Sequence, residues 1–266
     1  MSVIAKEFAP SRPVGGLAVT AQDAALIDEL CRRGIERIYP PDSIAQQEGD
    51  AVNSVKLLKA GWIVSEIQLV NGSRLIVDVF LPRDFIQLPM IAGVARASAR
   101  TVDVVRVSEF PLPVFLGLVE HTPRLAEIFA TARLRAGATR VEHMVRLGGL
   151  STMARTAHLM LELGYRLNPT DSPAALAFHC PLKQSDLADA LGMTPIHVNR
   201  ILRKLRALGL MSFERKIVTI PDRGRLIRLA EFNAAYLRGE DGSPTKANRD
   251  AEAGRPHPIG ASAEYG

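Results

Sequence analysis

His197, Asn199, Arg200, Arg203 and Lys204 put an imidazole, an amide and three cations into one short stretch of this chain. Such groups donate hydrogen bonds. Arginine can grip a guanine edge with two of them, asparagine can do the same at adenine, and lysine or arginine can hold a phosphate. Their spacing matters as much as their type. Val198, Ile201, Leu202, Leu205 and Leu208 recur between them at helical intervals and form one apolar stripe. At about 100° per residue, Ile196, Asn199, Arg200 and Arg203 fall on the opposite face, with His197 and Lys204 on a flank. Thr194 is suited to cap the helix, Pro195 to open it and Gly209 to close it. One face is therefore expected to be buried and the other to offer donors, which is what a helix in a DNA major groove must present.

The preceding residues supply a partner helix. Leu187 and Leu191 anchor it, Ala188 is small where the second helix crosses, and Gly192 can take the left-handed conformation that a sharp turn needs. The same pattern would also suit an ordinary αα-hairpin with a solvated basic face. Charge distribution favours the first reading. Residues 178–238 hold 11 Lys/Arg against 5 Asp/Glu, whereas the whole chain carries a net +5. The basic excess thus sits around the helix-turn-helix, as phosphate binding requires.

The 266 residues can hold two modest domains, and 47% hydrophobic residues suffice for their cores. With aromatics at 5%, those cores are expected to be Leu, Val, Ile and Ala. No run is long enough to cross a membrane, and MSVIAKEF lacks a signal-peptide apolar region. Cys31 and Cys180 stand far apart and suit a reducing compartment; two cysteines cannot hold an iron–sulfur cluster or structural zinc in one chain. The expectation is a cytoplasmic protein.

Along the chain, residues 1–20 read as a flexible arm, and Ala21 to Arg33 as a short helix ended by Gly34. Short β-prone runs follow at Glu36 to Tyr39, Gly61 to Val70, Arg74 to Phe80 and Thr101 to Phe110, with Asn71-Gly72 as a hairpin turn. They suggest a small barrel or roll, whose interior is either a packed core or a small-molecule cavity. No nucleophile motif, metal-ligand spacing or glycine-rich phosphate loop stands there. Val114 to Val119 is a short helix, and Leu125, Ile128, Phe129, Ala132, Leu134, Ala136, Val141, Val145 and Leu147 lie along a long one opened by Pro123. That helix could pair with a second copy or pack only on its own β domain. Gly148-Gly149 breaks it, as a hinge or a tight turn. A helix over Ser151 to Leu167 comes next, ended by Asn168-Pro169. After the helix-turn-helix, Leu210 to Phe213 and Lys216 to Ile220 read as a wing, with Arg215 and Lys216 at its tip. Arg223 to Leu237 closes the domain as a helix, and the Gly/Pro/Ser/acidic tail beyond Gly239 is expected to be disordered.

This order of parts resembles the cyclic-AMP receptor protein / fumarate-nitrate regulator (Crp/Fnr) family of bacterial transcription factors. The match is carried by Gln184-Ser185-Asp186-Leu187-Ala188-Asp189-Ala190-Leu191-Gly192 and by His197-Val198-Asn199-Arg200-Ile201-Leu202-Arg203-Lys204-Leu205. Phe80-Leu81-Pro82-Arg83-Asp84-Phe85-Ile86 looks like the strand and turn leading to the family's ligand cassette. Ser151 to Leu163 looks like the helix before its DNA-binding unit. The resemblance covers roughly residues 21–238. It implies that Ser185 and Thr194 hold phosphates, that Arg200 reaches a base, and that Arg203 and Lys204 contact phosphate. Two further base-reading positions fall on Pro195 and Ile196; isoleucine offers only apolar contact, as with a thymine methyl, so His197 and Asn199 are the candidates to contribute instead.

The cassette departs from the cyclic-nucleotide pattern. Gln87-Leu88-Pro89 follows Ile86, so the ribose-binding carboxylate is missing. Ala97 stands where the phosphate-binding arginine is expected, with Arg96 and Arg100 on either side. The oxygen-sensing cysteine cluster is absent too. His121, His143 and His158 remain as candidate heme ligands, against a purely structural role. The expected architecture is α+β: a flexible arm (1–20), a cyclic-nucleotide-binding-like β-roll (21–118), a long dimerisation helix (119–147), a winged helix-turn-helix domain (148–238) and a tail (239–266). The expected function is sequence-specific regulation of transcription by a homodimer on palindromic double-stranded DNA, with RNA polymerase as a further partner. No cofactor is evident, and the effector is unknown and not expected to be cyclic AMP. The competing readings are a ligand-binding or enzymatic roll whose C-terminal domain makes protein contacts, and a constitutive DNA binder with no ligand.

Overall fold

A computed structural model describes residues 21–86, 90–91, 93–169, 172 and 174–238; the expected arm, the expected tail and Gln87, Leu88 and Pro89 of the cassette lie outside them. Helix α1 (Ala21–Arg33) leads into the roll, made of β1 (Ile35–Tyr39), β2 (Ile44–Gln46), β3 (Ser54–Ala60), β4 (Ile63–Gln68), β5 (Arg74–Phe80), β6 (Met90–Ile91), β7 (Val94–Ala95), β8 (Ser98–Thr101) and β9 (Val105–Pro111). These strands form an antiparallel sheet β1-β9-β3, a second sheet β2-β8-β4-β5 and a small hairpin β6-β7. Helices α2 (Leu112–His121), α3 (Pro123–Gly149) and α4 (Thr152–Leu167) connect to the C-terminal part. That part contains β10 (Leu176–His179), α5 (Gln184–Leu191), α6 (Pro195–Ala207), β11 (Ser212–Glu214), β12 (Ile217–Ile220), α7 (Arg223–Ala230) and α8 (Ala235–Arg238).

Several sequence expectations change. The single strand expected over Thr101 to Phe110 is two, because the chain bends at Val102–Val104. There the Trp62 N–H donates to Asp103 Oδ1 at 2.7 Å, and the Val102 N–H to the Trp62 carbonyl at 2.9 Å. Strand β3 was not expected: its lysines hide the alternation, yet the Lys56 stem is buried and its Nζ reaches Ser54 Oγ at 2.9 Å and Glu109 at 3.2 Å. The β4–β5 turn is one residue longer than an Asn-Gly hairpin. The Leu69 N–H donates to the Ser73 carbonyl at 2.8 Å, and Gly72 supplies the left-handed residue (φ 82°) that follows a tight turn. The closing helix is broken into α7 and α8 by Glu231 at φ 52°. The wing has a third strand, with the order β10-β12-β11.

Inside the roll, Leu58, Ile63, Phe80, Ala95, Ala99, Val105 and Val107 pack into a buried core. At these positions the interior of the roll is a packed core. A second core joins α1, α2 and the start of α3 to the roll. Four phenylalanines gather here, and Phe85, Phe115 and Phe129 meet edge-on at centroid distances of 4.9 to 5.7 Å. That geometry adds to area burial through the ring quadrupoles.

Helix α4 is buried on nearly all sides and carries charge into the core. Glu162 pairs with Arg146 of α3, and both side chains are almost wholly buried. Tyr236 of α8 donates its hydroxyl to Glu162 Oε2 at 2.7 Å. Burial pushes Glu162 up, but the Arg146 and Arg166 charges and the Tyr236 hydroxyl together outweigh it and hold the carboxyl below its usual range. Arg166 donates to Asp84 of the roll at 2.6 Å. Burial, reinforced by the nearby Arg146 charge, lowers His143 and His158 to about 4. Both imidazoles are therefore neutral near pH 7. His158 packs edge-on against Phe232, and His121 bonds the Gly117 carbonyl at 2.8 Å. Among the described residues, no group of three or more His, Cys, Asp or Glu side chains could hold a metal ion.

Candidate nucleic-acid interface

Thr194 caps α6 as expected, its Oγ1 accepting the His197 N–H at 3.3 Å, with Pro195 at the first turn. Val198, Ile201, Leu202 and Leu205 are buried, whereas Leu208, expected on the same stripe, is 48% exposed at the frayed end. Gly209 follows at φ 64° and redirects the chain into the wing. Between the helices Gly192 is left-handed (φ 61°, ψ 43°), and Arg155 of α4 donates to the Leu191 carbonyl at 2.9 Å. Helix α5 starts with the Lys183 N–H donating to Asp186 Oδ2 at 2.8 Å.

The apolar face thus locked inward fixes what points out. Thr194, Ile196, Asn199, Arg200, Arg203 and Lys204 are exposed, and His197 is half-buried. Ile196 is 85% exposed at the start of the helix. Among the described residues, the side chains of Arg200, Arg203 and Lys204 make no hydrogen bond or ion pair. Asn199 is different: its Nδ2 donates to Gln184 Oε1 at 3.2 Å, joining the two helices. Ser185 lies in the first turn of α5, half-buried, where helix N–H groups point outward. A shallow hollow of about 150 Å³ lined by Gln184, Asn199, Arg203, Arg206 and Phe213 separates α6 from the wing.

At the wing tip, Arg215 and Lys216 both take positive φ (50° and 63°), the two central residues of a two-residue turn between Glu214 and Ile217. Both are exposed. Arg206 of α6 pairs with Glu214 and props the wing against the helix. Arg206 was not singled out in the sequence; its basic type and position one turn beyond Arg203 were the available signal. Thr194→Ala removes the α6 cap and is expected to lower stability by about 1 kcal/mol. Urea unfolding checks this as a lower midpoint with an unchanged slope.

In the roll, Arg100 is buried and committed. Its Nε donates to Glu66 at 2.8 Å and its Nη2 to Asp186 at 2.7 Å. Arg96 is exposed. No helix among the described residues is long and apolar enough to cross a membrane.

Residues 154–229 match the model of the Crp-like helix-turn-helix domain. Over most of its length the chain is similar to the anaerobic regulatory protein of Haemophilus influenzae, at 25% identity over 84% of this chain and 92% of that protein. It is also similar to the nitrogen fixation regulation protein FixK of Bradyrhizobium diazoefficiens, at 29% identity over 78% of this chain and 87% of the relative. The structure of FixK2 from Bradyrhizobium japonicum shares the fold, with a TM-score of 0.65 at 23% identity, covering 76% of this chain and 99% of that one. The matched relatives are transcription regulators rather than enzymes. With a roll, a long connecting helix and a Crp-like helix-turn-helix domain in that order, the chain is similar over most of its length to the Crp/Fnr-type transcription regulators.

Proposed function

We propose that this protein regulates transcription as a cytoplasmic homodimer that lays α6 of each copy into successive major grooves of a palindromic site. The observation that carries the reading is the outer face of α6, where Arg200, Arg203 and Lys204 stand exposed beside Ile196 with no partner among the described residues. Unpaired cations on one rigid face suit a polyanion, and a buried opposite face holds their geometry. Arg200 takes a base, with guanine the best fit to its two-pronged donor set. Ser185, Thr194, Arg203 and Lys204 hold phosphates. Ile196 offers its side chain to a thymine methyl, and His197 and Asn199 add polar contacts.

Support for the second copy comes from α3. Leu125 and Ile128 pack on the roll, but Leu134, Val141, Met144 and Val145 are 52 to 76% exposed. Their spacing of three, four and seven residues makes one apolar seam, continued by Gly137 and Gly148, where an added Cβ would meet nothing within 4 Å. As to the effector, Arg100 is spent on Glu66 and Asp186 and Arg96 faces outward, which speaks against a cyclic nucleotide. RNA polymerase is the expected further partner of a regulator bound at a promoter.

Selection from random duplex DNA with the purified full chain tests the reading. Expected is a palindrome with half-sites one helical turn, about 34 Å, apart, and an affinity that falls steeply with salt. Tight binding without additives would mark a constitutive binder. No enrichment, with or without cell extract, would overturn the DNA reading. The double variant Leu134→Glu/Val141→Glu is expected to sediment as a monomer and to lose the palindromic site; a variant that stays dimeric would overturn the assignment of α3.

A further inference from the structure

Two arginines of the roll reach across to α5 and hold it. Arg74, at the start of β5, donates from Nε and Nη2 to Asp189 Oδ2 at 3.0 and 2.6 Å. Arg100 of β8 donates from Nη2 to Asp186 Oδ1 at 2.7 Å. Asp186 and Asp189 are three residues apart on α5, so one helix face meets both guanidiniums. A third pair closes the helix start: Lys183 Nζ lies 2.9 Å from Asp42 in the turn before β2. Beneath these ions the surface is apolar. Trp62, Val64, Ile76, Val79 and Leu81 of the roll share one buried cluster with Leu159 of α4 and with Leu187, Ala190 and Leu191 of α5.

We infer that this seam is a latch, holding the helix-turn-helix against the roll in competition with DNA. The inference rests on the DNA-binding reading above. The N-terminal end of α5 is the end that a phosphate must approach, since Ser185 and the first-turn N–H groups lie there. In the docked state the roll's Asp42 stands at that end and takes up the charge of Lys183. A phosphate arriving there meets a carboxylate instead of a free ammonium. DNA therefore favours the undocked state, and by reciprocity undocking favours DNA.

The contact is built to open. A buried carboxylate stripped of its arginine is strongly destabilising when no other partner remains. Here each arginine keeps one. Glu66 Oε2 accepts from Arg100 Nε at 2.8 Å and from Arg74 Nη1 at 3.3 Å, inside the roll. On the other side Asp186 still accepts the Lys183 N–H at 2.8 Å and, with Asp189, gains water. Neither half is left with an orphaned charge, so the balance between docked and free lies within reach of a ligand's binding energy.

The test turns on a sign. Arg74→Gln removes a cation, and electrostatics alone predicts equal or weaker binding to DNA. Release of the latch predicts binding about tenfold tighter than wild type, because the apparent affinity is no longer reduced by the docked fraction. Arg74→Lys, which retains the charge, is expected to stay near wild type. The chain's single tryptophan, Trp62, is 5% exposed within the seam and reports docking without DNA. Its emission is expected to shift to the red in Arg74→Gln and, equally, in Asp189→Asn, and in the wild type when the selected duplex is added. Thermal unfolding of each variant separates undocking from misfolding; if Arg74→Gln does not fold, the Asp189→Asn emission and the wild-type response to DNA decide. Unmoved emission in the folded variants, together with unchanged or weaker DNA binding, overturns the latch. Emission that moves while neither variant nor wild type enriches any DNA overturns the DNA reading and the competition with it, and leaves a docking contact of another purpose.

Discussion

Replacing Arg200 with alanine is expected to weaken binding to the selected site by roughly 1–3 kcal/mol and to relax the preference at one base pair of each half-site. The effect follows from where the side chain stands. It leaves the exposed face of a helix whose other face is fixed by Val198, Ile201, Leu202 and Leu205, so its guanidinium arrives at a defined depth and angle. Arg203 leaves the same face about one turn later but belongs, in the proposed complex, to the phosphates. Arg203→Ala should weaken all sequences alike and flatten the dependence of log K on log salt by about one. Affinities of both variants for the selected site and for single-base variants of it, at two salt concentrations, check the division of roles. Identical behaviour of the two would sink it.

The largest stability effect is expected at Arg146. Arg146→Ala leaves the buried Glu162 with only the Tyr236 hydroxyl to accept from among the described residues, and should cost about 3–5 kcal/mol. Denaturant unfolding reads it as a large drop in midpoint. Removing both charges together, as Arg146→Met/Glu162→Leu, should recover most of the loss, because the penalty lies in the orphaned carboxylate rather than in the missing attraction. A double variant as unstable as the single one would contradict that account.

How far these features could be read in advance depended on distance along the chain. The helix-turn-helix was legible because its signals are local: a threonine cap, a proline at the first turn, a stripe of period 3.6 and one left-handed glycine. The ends of β5 and of α1 were legible for the same reason. The roll was harder, since its short strands gain their identity from partners far away. β3 is a strand because Leu57 and Leu58 meet Ser108 and Val107 across the sheet, while its lysines blur the alternation. β10 alternates buried and exposed residues over four positions only, too few to be told from a loop. The α6 face was readable at its cations and at Ile196, but the Asn199–Gln184 bond was not, as it spans the turn. Least legible were the ions between the two halves: Arg100 meets Asp186 from 86 residues away, and nothing in either neighbourhood marks the other.

Helix α4 has one further consequence, for how the protein can be divided. It sends Arg166 to the roll and Glu162 to the long helix, while its other faces lie under the winged domain. Cutting the chain at the Asn168-Pro169 loop would tear the floor out of the C-terminal part and leave an apolar rod on the N-terminal one. A DNA-binding piece must therefore carry α4 with it, and one that begins at Gly148-Gly149 leaves Arg146 behind, so Glu162 would need a new partner or a neutral replacement. Exchange of sensors between proteins of this plan would meet the same demand, and each new roll would have to supply its own answer to Arg166.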